Sequence, residues 1–356
     1  MRRLLSLLLV VAGMRLATGF ALADQVDTLI KTNMQQHQVV GLACLIIRDG
    51  RPVRTICRGM ANLEWNVPVT KDTVFEIGSV TKQFTAACIL LLEQEGKLSV
   101  DDKISRYLTN TPASWADITI RNLLTHTSGL TNYDAIPGFE LRQHLTQAEF
   151  IHKLAAFPLG FQPGERWSYC NSGFNLLGYI VGNVSGTDYW NFLSQRILGP
   201  MQMTHTTRRD PRMIVPHRAD GYEMTNHVRI NRDYDLTDLF AAGTIASTVT
   251  DLAKWNAALN GDELIHESSK KLWWTPTKLN DGKVKEYGFG WFLNPLEGHK
   301  NIGHSGSTSG FSASLQRFPD DHLCVIVLAN TDELGYSTKL AKKIAVLYFK
   351  KKPAAK

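Results

Sequence analysis

The stretch FEIGSVTKQFTAACILLLEQE, Phe75 to Glu95, decides how the chain is read, and its centre is Ser79-Val80-Thr81-Lys82. Gly78, then Ser, then an unbroken run of good helix formers predicts a tight turn feeding a helix N-terminus, with Ser79 in the first turn. A spacing of three sets Ser79 and Lys82 side by side on one face, where a hydroxyl and an amine can exchange a proton. Free Ser is a poor nucleophile, and Lys serves as a base only where burial or nearby cations lower its pKa. The apolar run Ala86–Leu92 is expected to supply that burial. Ser-x-x-Lys is a cheap pattern, however, and Ser268-Ser269-Lys270-Lys271 repeats it. The second copy lies in the polar stretch HESSKK with no apolar helix behind it, which predicts a solvated surface turn.

At the N-terminus, Arg2 and Arg3, the run Leu4–Ala12, and Ala21-Leu22-Ala23 before Asp24 have the charged start, apolar core and small-residue cleavage site of an export signal. Residues 1–23 are therefore read as a signal peptide, and the mature chain as exported, periplasmic or secreted. Arg15 interrupts the apolar part, which leaves less than the roughly 20 apolar residues of a membrane span. Losing this segment removes three arginines and no acid, so the formal charge falls from +6 to +3. Lys350, Lys351, Lys352 and Lys356 at the other end carry more than that remainder, so no basic face calls for nucleic acid. The rest, 44% apolar over the whole chain, is ample for one large domain or two intimately joined ones. Five cysteines (44, 57, 88, 170 and 324) are odd in number and lack metal-ligand spacing, which argues against a disulfide framework. If Asp49–Pro52 is a four-residue hairpin loop, Cys44 falls opposite Cys57 and a cross-strand bridge can form.

Periodicity and turn residues predict a helix over Gln25–Gln38 and strands over Val40–Arg48 and Val53–Gly59 around Asp49-Gly50. Helical signals then dominate: Thr119–Thr125, Gln147–Phe157, Ser172–Val184, Tyr189–Ile197 and Thr250–Asn260. Strand signals return at Tyr287–Leu293, Ile302–Ser307, Phe311–Phe318 and His322–Ala329, before a last helix to about Lys350. The fold class is α+β: an antiparallel sheet closed by both ends of the chain and flanked by helices, with an inserted mainly helical lobe. Residues 24–95 and 285–356 form one lobe and 96–284 the other, with a site expected in the cleft between them.

Two further motifs carry chemistry. Tyr169-Cys170-Asn171 opens a helix at Ser172, so a phenol and a carboxamide two residues apart can point into one cavity as proton carrier and amide-binding group. Tyr189-Trp190-Asn191 repeats the spacing but reads as a helix packing on its aromatics. His304-Ser305-Gly306 ends a strand with Ser307 next, where small residues let a substrate approach and a backbone N–H can face an oxyanion.

Three motifs in this order resemble the serine β-lactamase and penicillin-binding hydrolases, which use Ser-x-x-Lys, a polar triplet and Lys-Thr-Gly. The chain looks closest to the branch with Tyr-x-Asn as second element, shared by class C β-lactamases, D-Ala-D-Ala carboxypeptidases, D-aminopeptidases and β-lactamase-like esterases. The resemblance extends to Leu123–Leu130 (LLTHTSGL), Phe161–Gly178, Ala241–Leu252 (AAGTIASTVTDL) and Tyr287–Trp291 (YGFGW). It implies that Ser79 is acylated, that Lys82 and Tyr169 share the proton work, and that Asn171 binds the substrate carbonyl side. The Ser79 and Ser307 N–H groups would form the oxyanion hole, with His304, Ser305 and Gly306 lining the substrate strand. No cofactor or metal is implied, and the partner is a small-molecule or peptide substrate, β-lactams or cell-wall peptides included.

Two positions depart from the pattern. Cys170 stands where Ser is common and reads as a small filler pointing away. His304 replaces Lys, which resembles carboxypeptidases and esterases more than efficient class C β-lactamases. A His there titrates near 6.5 and would read a substrate carboxylate in a pH-dependent way, unless it stays neutral and only hydrogen-bonds Tyr169 or a neighbour. The chain lacks Gly-x-Ser-x-Gly and His-Glu-x-x-His, which argues against α/β-hydrolase and metalloenzyme classes. The expected function is an exported serine hydrolase, carboxypeptidase-like or esterase-like, ahead of a class C-like β-lactamase. A weakly catalytic penicillin sensor or scaffold is the alternative of another class.

Overall fold

In a computed structural model, which describes residues 24–232 and 234–349, helix and sheet follow from patterns of apolar residues on two faces. The signal-peptide expectation falls outside these residues. Leu323–Ala329 shows the rule best: Leu323, Val325, Val327 and Ala329 point into one apolar cluster, and Cys324, Ile326 and Leu328 into another. A strand buried on both faces needs a continuous apolar run, not an alternating one. The main sheet is wholly antiparallel, with strands Gly41–Arg48 (β1), Arg51–Asn62 (β2), Val67–Pro68 (β3), Ile302–Thr308 (β4), Phe311–Phe318 (β5) and Leu323–Ala329 (β6). Its order is β4-β5-β6-β1-β2-β3, so strands from the two ends of the chain meet at β6 and β1.

One face is covered by a helix over residues 24–36 (α1) and by Tyr336–Tyr348 (α5); Val26, Ile30, Leu340 and Ile344 close on Leu42, Ile46 and Val325. The other carries Thr81–Gln94 (α2), buried without interruption from Thr81 to Leu92, and Val249–Ala258 (α4). A helix buried all round must lie inside the molecule, and α2 is therefore the axis about which the rest packs. Asn171–Ser185 (α3) lies against it and ends at Gly186, whose φ of 74° provides a left-handed cap.

Several sequence expectations need correction. The turn between β1 and β2 is Asp49-Gly50 alone, and a register shift at Ile46/Ile47 pairs Cys44 with Ile56 and Ala43 with Cys57. Cys44 and Cys57 then pack into different clusters on opposite faces, and both thiols are free. Tyr287–Leu293 is no continuous strand: Gly290, at φ 73°, folds it back so that Gly288 N–H donates to the Trp291 carbonyl and Tyr287 bridges Phe292. Ser268 and Lys271 are exposed as expected, but on a short helix, Glu267–Trp273, and not in a turn. Small ladders also escaped the sequence reading, among them Phe75–Glu76 paired with Ile245–Ser247. That ladder leads directly into Ser79. A buried ion pair, Arg209 Nε to Glu76 Oε1 at 2.9 Å, holds its approach.

Candidate active site

Gly78–Val80 forms one 3-10 turn before α2, and Gly78 takes a φ of 49°. Its lack of a side chain is required by contact as well as by φ, because a Cβ there would lie 2.6 Å from Ser307 N. The counterpart on β4 is Gly306, where a Cβ would meet the Ile77 carbonyl oxygen at 1.9 Å and Ser79 N at 3.1 Å. Two bare glycines thus press the Ser79 turn onto the Ser307 strand, and the backbones of the two residues expected to donate to an oxyanion lie side by side.

Lys82, one turn into α2, has no exposed surface. Its Nζ donates to the Asn171 side-chain oxygen at 2.8 Å and to the Ala242 carbonyl at 2.8 Å, and lies 3.0 Å from Ser79 Oγ. Burial draws its pKa down from 10.5 to about 7, against an upward pull from Cys170 and Asp134. Desolvation dominates because the ammonium has carbonyl dipoles and no carboxylate in contact. In the neutral amine the two carbonyl oxygens take both N–H groups, and the lone pair faces Ser79. A hydroxyl proton can move along that 3.0 Å line.

Asn171 opens α3; its N–H donates to Asn132 Oδ1 at 2.9 Å and its Nδ2 to the exposed Asp134 carboxylate at 3.2 Å. Tyr169, two residues earlier, sets its ring 4.8 Å from Lys82 Nζ. Burial raises the phenol's pKa above its ordinary value, while hydrogen bonding from Ser79 opposes the rise. Cys170 is buried and its thiol donates to the Leu130 carbonyl at 3.5 Å, with burial raising its pKa.

His304 departs from the expectation of a titrating carboxylate reader. It is 1% exposed, its Nδ1 lies 2.5 Å from the Ser305 carbonyl and its Nε2 3.2 Å from the Tyr287 hydroxyl. Burial, with the Lys82 charge second, lowers its pKa to about 3, so the imidazole is neutral at physiological pH. Ser305, Gly306 and Ser307 follow it on β4. The structure therefore gathers Ser79, Lys82, Tyr169, Asn171 and the β4 residues at one place. It adds four groups that sequence reasoning passed over: the Ala242 carbonyl, Asp134, His126 and Tyr287. All but Asp134 lie in the stretches quoted for the resemblance, AAGTIAS, LLTHTSGL and YGFGW, but without a role. Among the described residues, no group of three or more His, Cys, Asp or Glu is placed to hold a metal ion.

An antiparallel sheet with a serine at the head of a buried helix, and a lysine one turn on, is the arrangement of a class of serine hydrolases. Residues 26–348 match the Beta-lactamase family, to which the chain belongs. It is 32% identical over 331 residues to penicillin-binding protein 4* of Bacillus subtilis, covering 86% of this chain and 71% of that one. To protein flp of Staphylococcus aureus it is 29% identical over 336 residues, 90% of this chain but 65% of that protein, less than two thirds of its length. Among solved structures, the octameric penicillin-binding protein homologue from Pyrococcus abyssi superposes with a TM-score of 0.79 at 28% identity, covering 91% of this chain and 77% of that one. The protein is a serine hydrolase of this family, whose members act on small molecules or peptides. Among the described residues no helix is long and apolar enough to cross a membrane.

Proposed function

We propose that this protein is an exported hydrolase that cleaves small ester or amide bonds through an acyl group on Ser79, esterase-like in preference. The observation that carries the chemistry is Lys82, whose two carbonyl partners leave its third hydrogen-bonding direction to Ser79. In the first step the Ser79 proton passes to Lys82 while Oγ bonds to the substrate carbonyl carbon, and the Ser79 and Ser307 N–H groups receive the oxyanion. The carbon–leaving-group bond then breaks as the leaving alcohol or amine takes a proton from the Lys82–Tyr169 pair. Water, deprotonated by the same pair, releases the acid and restores Ser79.

The substrate preference rests on charge. A neutral His304 offers no fixed cation where family relatives carry Lys, and the Asp134 carboxylate at Asn171 adds a negative charge. Both disfavour substrates that end in a carboxylate. Kinship with penicillin-binding protein 4* favours a second reading, in which D-Ala-D-Ala peptides or penicillins are bound. One preparation assayed with a short-chain p-nitrophenyl ester, a D-Ala-D-Ala peptide and a chromogenic cephalosporin separates them: the ester should have the highest kcat/KM. Faster peptide turnover would establish the second reading, and faster cephalosporin turnover a β-lactamase.

A further inference from the structure

Behind the reacting groups lies a run of buried polar contacts that the acyl-transfer mechanism leaves unused. His126, Tyr287 and His304 are each 1% exposed. The Cys170 N–H points at His126 Nδ1 at 3.1 Å, and His126 Nε2 lies 3.0 Å from the Tyr287 hydroxyl. That hydroxyl is 3.2 Å from His304 Nε2, and His304 Nδ1 is 2.5 Å from the Ser305 carbonyl oxygen.

The two ends of this run leave no freedom in where its protons sit. A backbone N–H only donates, so His126 Nδ1 must accept and the ring's proton sits on Nε2. A backbone carbonyl only accepts, so His304 Nδ1 must carry a proton and its Nε2 must accept. The phenol has one proton, which it gives to His304 while it accepts from His126. Every ring nitrogen and the phenol of the run are then paired, and all three side chains are neutral. A proton added to either ring would turn an acceptor nitrogen into a donor facing another donor. Burial lowers the pKa of both imidazoles, and the Lys82 charge lowers them further. The other titratable groups facing the run are Tyr169, whose ring lies 4.3 Å from that of His126, and Cys170.

We infer that His126, Tyr287 and His304 form a one-way hydrogen-bond relay tying the Tyr169-Cys170-Asn171 loop to the Ser305–Ser307 strand, with His126 and Tyr287 as positioning residues. The relay rests on the reading of Ser79 as nucleophile for its purpose, though not for its geometry. One end fixes the backbone between Tyr169 and Asn171, and the other fixes the carbonyl two residues before Ser307. The groups that move protons and those that receive the oxyanion are thus held at one separation by a single phenol. The pairing is demanding because unpaired buried donors and acceptors are costly. The His304 substitution of the family Lys also takes a physical meaning: a protonated Lys has no acceptor atom and could not receive the Tyr287 proton.

The test has two arms. In the wild-type protein with 15N-labelled histidine, long-range 1H–15N spectra should show His126 as the Nε2–H tautomer and His304 as the Nδ1–H tautomer, unchanged from pH 5.5 to 8. Two identical tautomers, or either ring titrating near 6.5, would overturn the relay whatever the enzyme turns over. In Tyr287→Phe, kcat for a p-nitrophenyl ester should fall about tenfold to a hundredfold with KM within about twofold, as for displaced but intact reacting groups. A variant that melts earlier but keeps the wild-type kcat would show Tyr287 to be merely structural and refute positioning. Labelling of Ser79 by a serine-directed phosphonate, measured alongside, separates a failed relay from a failed nucleophile assignment.

Discussion

The pH dependence of acylation tests which group takes the Ser79 proton. Lys82 falls from 10.5 to about 7, a shift that at about 1.4 kcal/mol per unit amounts to roughly 5 kcal/mol against the ammonium. The base is the neutral amine, so activity must rise as the proton leaves. At pH 6 about one tenth of the molecules hold a neutral Lys82, and at pH 8 about nine tenths. The kcat/KM of a neutral p-nitrophenyl ester should therefore climb about tenfold per unit below pH 7 and level off above it, reporting the free enzyme. Tyr169 predicts the opposite placement: burial raises its phenol above the ordinary value, so a phenolate base would still be gaining activity at pH 9 and beyond. Asp134 pulls Lys82 upward, and Asp134→Asn should move the midpoint to lower pH. Stopped-flow or steady-state assays from pH 5 to 9.5, with a p-nitrophenol correction, measure both. A profile flat from pH 5 to 9, or one still rising at pH 9.5, would refute Lys82 as the base.

Other variants probe the remaining parts. Ser79→Ala should abolish turnover, and mass spectrometry after a penicillin or phosphonate should find the adduct on the peptide holding Ser79; an adduct on Ser268, exposed on its short helix, would refute the assignment. Lys82→Ala and Tyr169→Phe should each slow acylation about 10²-fold or more, and the double variant little further; multiplicative losses would mean the two act independently. Gly306→Ala drives a methyl to within 1.9 Å of the Ile77 carbonyl oxygen, so β4 must move off the Ser79 turn. Its kcat should drop at least about tenfold, while wild-type kcat would show that the oxyanion donors lie elsewhere.

What was legible in the sequence was what depends on spacing alone. Ser79 and Lys82 share a helix face by local geometry, and β6 announces itself as a run of apolar residues because both of its faces are covered. What was hidden depends on contacts made across the fold. The Ala242 carbonyl that orients Lys82 is 160 residues away along the chain, and no local pattern distinguishes one carbonyl from another. The Cys44–Cys57 pairing failed because the turn holds two residues where four were expected; the extra residue of β2 at Ile46/Ile47 makes up only one of the difference, and a net shift of one sends the side chain through the sheet.

Charge was the most misleading quantity, for the same reason. His304 looked like a group poised to titrate, yet burial and the nearby Lys82 hold it neutral. Lys82 runs the other way: the apolar run behind it already pointed to a lowered pKa, and the same interior brings it to about 7. The two Ser-x-x-Lys copies separate on this ground: Lys82 has no exposed surface, whereas Lys271 stands in water. A motif supplies the atoms and their spacing, and the desolvation that turns an amine into a base comes from the helices and strands closed around it. The relay follows the same logic: two imidazoles remain neutral because a backbone N–H at one end and a carbonyl at the other prescribe where each proton sits. The two neutral rings then leave Lys82 as the group of the site whose protonation changes near neutrality, so under the proposed mechanism the site's response to pH is set by that residue.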